Sequence, residues 1–401
     1  MKKFLTIVAS ATMLAGVLLA APSTASAASS KYDWYVNSSA RSVSPGWGMS
    51  CANADSYDLQ DVLDDANYGD TIYICAGIYI GPFDVNDSVV LVGAGSNQTY
   101  LDGGYDGYYN DGCNGNGNST LFVTDEYLTV RNLTFRNGCS DDNWGHDGGA
   151  VNVQGGGDFY CYNSKFEDNA ASNRGGAVIA DYVYLNGCSF IHNYAYADYS
   201  MDEGNGEGGG AILANRVVAV KSTFTDNGTD ARGGGIYVYD SYDVKTSTFT
   251  NNSAIWGGAL YSIGDSYSQY ISSSKFISND ALQFGGAILN DGAGYLWIAG
   301  SAFIGNTVCY EGCDGDGFGG AIFTYSNLTV VRSSFTNNFS EDYGSAIYSY
   351  DHCCSHELRL VSVDLRGNYG GHSTIDICHD DYWLTRVRFF NNGDDVNLED
   401  C

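Results

Sequence analysis

Ser274 to Asn290 reads Ser-Lys-Phe-Ile-Ser-Asn-Asp-Ala-Leu-Gln-Phe-Gly-Gly-Ala-Ile-Leu-Asn. Two short motifs sit in it: Phe-x-x-Asn, here Phe276 and Asn279, and Gly-Gly-Ala-aliphatic, here Gly285 to Ile288. Both recur. Phe-x-x-Asn returns at Phe166, Phe190, Phe224, Phe249, Phe303, Phe335 and Phe389, with Leu365/Asn368 as a variant. The glycine motif begins at Gly148, Gly175, Gly209, Gly257 and Gly319, with variants at Gly233 and Gly344. Successive motif positions, the variant Leu365 included, lie 24 to 34 residues apart, which fits a minimal unit of 24 residues with insertions.

Between the motifs lie short β-prone runs such as Val217 to Val220 and Tyr182 to Leu185. Helical periodicity is missing and paired glycines break every unit. Short strands on a repeat of this length predict an all-β chain wound as a parallel β-helix, each coil ~4.8 Å from the last. Alternation puts each Phe on the same face as the residue two before it, a column reading Ser164, Cys188, Ser222, Ser247, Ser274, Ser301 and Ser333. These small side chains leave room for inward phenylalanines. The Asn column falls at a turn, where Asn tolerates left-handed backbone and its amide can bond neighbouring coils. Ahead of the repeats, Leu59, Val62, Leu63 and Ala66 have helical spacing, and Gly69 to Ile74 opens a strand. This is the expected cover for an open solenoid end.

Composition excludes several functions. Eighteen Lys and Arg stand against 47 Asp and Glu, a net charge of −29. A nucleic-acid partner needs a basic face, so none is expected. Met1 to Ala27 has a basic start, an apolar stretch and an Ala25-Ser26-Ala27 end, the pattern of a removable export signal. The expected organisation is a signal at 1–27, a cap and first strands at 28–80, and repeats at 81–401. No later stretch is apolar for ~20 residues, so no membrane span is expected. The 12 cysteines are even in number and suit disulfides in an exported protein, with Cys51/Cys75 and Cys309/Cys313 as local pairs.

These residues together resemble a secreted right-handed parallel β-helix of the pectin-lyase-like superfamily, with a helix followed by Gly-Asp-Thr-Ile and Gly-x-Tyr. The alternating motifs resemble the polymorphic outer-membrane protein repeat of chlamydial adhesins. That resemblance implies the fold closely and the activity poorly, because β-helices carry lyases, hydrolases, adhesins and structural proteins. The chlamydial family carries a C-terminal barrel with no counterpart here, so the expected localisation is free secretion or non-covalent attachment to the cell surface, as a monomer.

Function can sit on two faces. Long loops at 138–147, 194–208 and 307–318 enter the corner before the glycine pair. They carry Asp141 and Asp142, then Asp198, Asp202 and Glu203, then Asp314 and Asp316. Such carboxylates can hold calcium, for which Asp198, Asp202, Glu203, Asp314 and Asp316 are the expected ligands. They can also act as an acid/base pair in a lyase or glycoside hydrolase, with Asp141, Asp142, Arg174 and Arg232 as catalytic candidates. Two loop carboxylates converging in a cleft beside Arg174 or Arg232 would favour an enzyme; scattered, fully solvated acids would favour a binder. The second face follows from the aliphatic residue pointing inward. The next residue points out, and two residues on another does. Those columns bring Tyr237, Tyr239, Tyr261, Phe323, Tyr325, Tyr348 and Tyr350 onto one stripe. Exposed rings at coil spacing suit stacking on carbohydrate or on a cell-surface protein. The leading expectation is a non-enzymatic adhesin-like binder; the alternatives are a polysaccharide lyase or hydrolase, and a structural envelope or exopolysaccharide component.

Overall fold

The computed structural model describes residues 31–39, 42–43, 48–104, 119–124, 127–140, 147–197, 206–264, 268–292, 294–309, 317–350, 356–378 and 381–398. The expected export signal lies outside them, as do Asp141, Asp142, Asp198, Asp202, Glu203, Asp314 and Asp316. Coil after coil, the chain lays down parallel strands. One coil runs Ile288–Asn290, Leu296–Ala299, Ala302–Ile304 and Thr307–Val308. Equivalent strands pair in register with the coils before and after, as in Lys275↔Ala302 and Ala302↔Ser334. The phenylalanine strands form one 12-stranded sheet running in coil order from Gly77–Ile80 to Arg388–Phe390. The strands after the Asn turn form an 8-stranded sheet, and the other two strands of each coil share a 22-stranded sheet. The fold is a parallel β-helix.

Three ladders show why the motifs repeat. From Phe135 to Phe335 consecutive rings stack at 4.6–5.0 Å with planes within 10° of parallel, all buried. The coil rise fixes this spacing, and Leu365 continues the column into the last coils. Beside them Asn279 accepts from the backbone N–H and Nδ2 of Asn252 and donates its own Nδ2 to Asn306 Oδ1 at 2.9 Å. Its Nδ2 also donates to the Phe249 carbonyl. Every polar atom of a fully buried amide is thereby satisfied, which is what burial of such a group demands. The serine column is a ladder too: Ser247 N–H donates to Ser274 Oγ and Ser274 N–H to Ser301 Oγ, each at 3.2 Å.

The left-handed backbone falls one residue earlier than expected. Asn251, Ser278 and Gly305, each preceding a ladder Asn, carry φ of 53°, 52° and 60°. The ladder Asn is kept for its amide, and the residue before it makes the turn. The glycine pair answers two separate demands. Gly285 has φ 62°, while a Cβ on Gly286 would lie 2.2 Å from the Gly320 carbonyl of the next coil. One glycine turns the chain and the other lets the coils approach.

The helix Leu59–Asp65 begins with the Asp58 side chain accepting from Gln60 N–H, and it buries Leu59, Val62 and Leu63 in the main core. Cys51 pairs with Cys75, as the spacing suggested. Cys161 pairs with Cys188, a bond the sequence did not announce. Cys188 stands in the serine column, so this bridge ties adjacent coils from inside. Cys139, Cys309 and Cys378 are also disulfide-bonded; Cys313 lies outside the described residues.

Candidate functional site

The strand after each glycine pair carries its aliphatic residue inward and the next residue outward. Ile236 and Val238 join the main core, while Tyr237 joins a separate apolar cluster on the other face of the sheet. Register lines up Leu213, Tyr237, Tyr261, Leu289, Phe323 and Tyr348 along successive coils. The expected stripe therefore exists as a column of rings outside the prism interior.

It is not an open column. Tyr261 is 1% exposed, and Tyr237, Phe323 and Tyr348 are also buried. Asn152, the polar residue in register with this column two coils before Leu213, is buried as well. The cause is a second column, formed by the residue just before each glycine pair: Arg232, Trp256, Phe284, Phe318 and Tyr343. The Arg232 guanidinium lies 4.3 Å from the Trp256 ring centre and 5.4 Å from that of Tyr261. Phe284 and Phe318 stack at 5.6 Å, Phe318 and Tyr343 at 5.4 Å, and Tyr343 and His372 at 4.7 Å. These rings fold over the stripe, with Phe284 5.2 Å from Phe323 and Phe318 5.2 Å from Tyr348. Arg174 and Arg232, the two cationic catalytic candidates, each stand just before a glycine pair; the signal in the sequence is that the same place holds Trp256, Phe284, Phe318 and Tyr343.

The accessible part of the stripe is its outer column. Tyr239, Tyr325 and Tyr350 are half-buried, each packed against the covered rings. Phe323 meets Tyr325 edge-on at 4.8 Å, and Tyr325 meets Tyr350 at 5.5 Å with their planes 87° apart. Around these two lies an open cleft of about 130 Å³ lined by Phe284, Phe318, Phe323, Tyr325, Tyr348 and Tyr350. Polar groups hold the rings from behind. Tyr261 Oη donates to Asp291 Oδ2 at 2.6 Å, and Tyr239 is hydrogen-bonded to Glu207. Burial, opposed by Arg232, pushes the Tyr237 hydroxyl up to about 12; burial and then Asp291 push that of Tyr325 up to about 12.

At the other end of the same face, Arg174 is gripped from both sides. Its Nε and Nη2 donate to Asp147 Oδ2 at 2.9 and 2.6 Å, and its Nη1 to Glu207 Oε2 at 2.7 Å. Asp147 ends one long loop and Glu207 nearly ends the next. Two loop carboxylates do converge beside Arg174. The Asp147 side chain is only 4% exposed, and its burial outweighs Arg174 in setting its acidity, so its pKa lies above the ordinary carboxylate value. Arg232 faces the rings of Trp256 and Tyr261 and the hydroxyl of Tyr237. Among the described residues no group of three or more His, Cys, Asp or Glu could hold a metal ion. No described helix is long and apolar enough to cross a membrane.

The residues on this face are also where known proteins are met. Three stretches match the Chlamydia polymorphic membrane protein repeat. They are residues 221–239, 246–263 and 332–350. Each matched stretch begins near a serine-ladder residue, passes the Phe, the Asn and the glycine corner, and ends on the stripe, two of them at Tyr239 and Tyr350. The matched repeat thus includes the outer aromatic column along with the core ladders. A search of curated proteins finds no match to the chain.

Proposed function

We propose that this is a secreted or surface-associated, non-enzymatic adhesin-like protein that binds carbohydrate in the cleft between Tyr325 and Tyr350. The observation that carries this is the arrangement of that cleft. Two half-exposed tyrosines, set nearly perpendicular, are held by buried rings that leave them little freedom, and the space suits one ring-sized group. Rigid amphipathic rings lose little entropy on binding and offer both a flat face and a hydroxyl. The repeat matched by three stretches is described as that of a membrane protein of Chlamydia, which supports a place at a cell surface. A glycan array probed with wild-type protein, Tyr325→Ala and Tyr350→Ala tests the reading. Loss of the wild-type signal in both variants supports it; signals that survive both substitutions remove the cleft from consideration.

A second reading, a polysaccharide lyase or hydrolase, is favoured by the convergence of Asp147 and Glu207 on Arg174. Chemistry argues for a clasp. Both carboxylates already accept from the guanidinium, and Asp147 has almost no surface from which to reach a glycosidic oxygen. Incubation with a polysaccharide panel, with and without EDTA, separates the readings, because released reducing ends or unsaturated products would establish catalysis.

A further inference from the structure

The cleft around Tyr325 and Tyr350 is walled by rings, and none of its lining residues is charged. The charge lies just behind those rings, and it is negative. In the outer column Asp291 stands one coil before Tyr325, because Leu289 and Asn290 are in register with Phe323 and Thr324. Its carboxylate accepts from the Tyr261 hydroxyl at 2.6 Å. Burial first, and Asp291 second, raise the pKa of the Tyr325 hydroxyl, so the field of this carboxylate reaches the cleft. In the inner column Asp376 stands one coil after Tyr348 and in register with it. Asp376 is fully buried. Its Oδ2 accepts from Gly344 N–H, while its Oδ1 has no hydrogen-bond partner among the described residues.

We propose that the sugar held in this cleft is an amino sugar, whose free ammonium group rests on the rings with Asp291 and Asp376 supplying the opposite charge. This rests on the carbohydrate reading of the cleft and adds the class of sugar. Three observations select a cationic sugar over a neutral or acidic one. The first is the rings. A cation is attracted to an aromatic face within ~6 Å of its centre. Tyr325 and Tyr350 have centres 5.5 Å apart and planes at 87°, and Phe323 lies 5.1 Å from Tyr348 beside them. The second is charge. A carboxylate on each side, no Lys or Arg in the lining, and a net charge of −29 draw cations and repel acids. The third is a precedent on the same stripe. The Arg232 guanidinium lies 4.3 Å from the Trp256 ring centre and 5.4 Å from that of Tyr261, the ring bonded to Asp291. There the chain's own cation occupies the rings. The lining of the Tyr325–Tyr350 cleft supplies none, which leaves that place to the ligand.

The test is titration calorimetry of the full chain with soluble tetramers of glucosamine, N-acetylglucosamine and glucose that share one backbone linkage, and with choline. It is run below neutral pH, where the sugar amine is protonated. The glucosamine tetramer should bind about tenfold more tightly than the other two, the gain from one cation–aromatic contact. Asp291→Asn keeps an acceptor for Tyr261 and should remove most of that preference. Tyr325→Ala/Tyr350→Ala should abolish binding of the glucosamine tetramer, and denaturation midpoints of both variants guard against misfolding. Equal binding of all three tetramers, lost in Tyr325→Ala/Tyr350→Ala, overturns the amino sugar and upholds the carbohydrate reading. A preference unchanged in Asp291→Asn overturns the proposal. So does glucosamine binding that survives Tyr325→Ala/Tyr350→Ala, which is general attraction to an acidic protein. Choline bound as tightly as the glucosamine tetramer overturns it as well, because the ammonium alone is then the ligand. Failure of every tetramer to bind overturns it and leaves the glycan array to decide whether the cleft takes any sugar.

Discussion

Two aromatic rows run along neighbouring strands of the same coils, and they differ in what lies on top. The row through Tyr237, Tyr261, Phe323 and Tyr348 is roofed by the residues before the glycine pairs, and its rings are buried. The row through Tyr270, Trp297 and Trp383 has no such roof among the described residues, and these three rings are exposed. Composition does not separate them, since both are Tyr-rich and both point away from the main core. The corner separates them. The glycine turn folds the chain back so that the residue before it lies against the residue that follows the aliphatic one. The next strand lies farther round the coil, out of reach of that residue. On a solenoid, an outward ring is a binding surface only where no corner residue folds over it.

The largest expected effect contrasts the two rows directly. Tyr261→Ala removes a ring enclosed by Tyr237, Trp256 and Arg232 together with the hydroxyl that donates to Asp291. It should cost about 3–5 kcal/mol, as large-to-small changes of buried rings do. Trp297→Ala should stay within about 0.5 kcal/mol, as exposed substitutions do. Urea denaturation of the two variants beside wild type measures both. Equal costs would mean that burial is not what distinguishes the rows, and the contrast drawn from the corner would fail.

Much of this could be read from the chain, and the reason is physical. A ladder works only if the same side chain returns at the same place, so Phe, Asn, Ser and Gly repeat visibly. Helix spacing at Leu59, Val62 and Leu63 was equally plain. The roof was harder to see, because a covering residue needs only bulk and a flat surface, and Arg232, Trp256, Phe284, Phe318 and Tyr343 share no letter. Alternation puts the stripe on the outer face of the sheet and leaves open whether other side chains cover it. Its burial depends on side chains folding over from the corner, which alternation cannot report. The exposed row escaped for another reason. The backbone changes phase between the two strands, since Ile212 and Ala214 face the core and then Val217 and Ala219 do, so counting by twos from the glycine pair leads off the row. The Cys161–Cys188 bond was hidden because Cys188 fills a serine's place.

A smaller effect tests the charged end of the covered face. Arg174→Ala leaves Asp147 almost closed to water with no cation, which should cost about 1–3 kcal/mol at neutral pH. The sign with pH follows from burial. Asp147 already has a folded-state pKa above its unfolded value, with burial the larger cause and Arg174 opposing it. Removing Arg174 raises it further. A carboxyl raised by folding stabilises fully below its unfolded pKa, and that contribution is lost as pH rises through the folded value. The cost of Arg174→Ala should therefore grow from acidic to neutral pH, measured as denaturation midpoints at both. A cost independent of pH would show that Arg174 matters for packing and not for the charge of Asp147.

The smallest effect comes at alkaline pH and reads the two accessibility classes within the stripe. The hydroxyls of Tyr237 and Tyr325 are both pushed up to about 12 from an ordinary 10.0, chiefly by burial. For Tyr237 the opposing charge is Arg232, and for Tyr325 the reinforcing charge is Asp291. Folding therefore favours their protonated forms. The stability this represents is fully present below pH 10, declines as the unfolded chain begins to ionise, and is gone above the folded value. Phenolate absorbance followed from neutral pH upward should show a late phase that shrinks in Tyr237→Phe and in Tyr325→Phe. A ligand seated between Tyr325 and Tyr350 covers only the second of these hydroxyls. Adding it should delay the Tyr325 component and leave that of Tyr237 unmoved; a delay of both would mean that binding reaches beneath the roof, and the division of this face into covered and open columns would have to be given up.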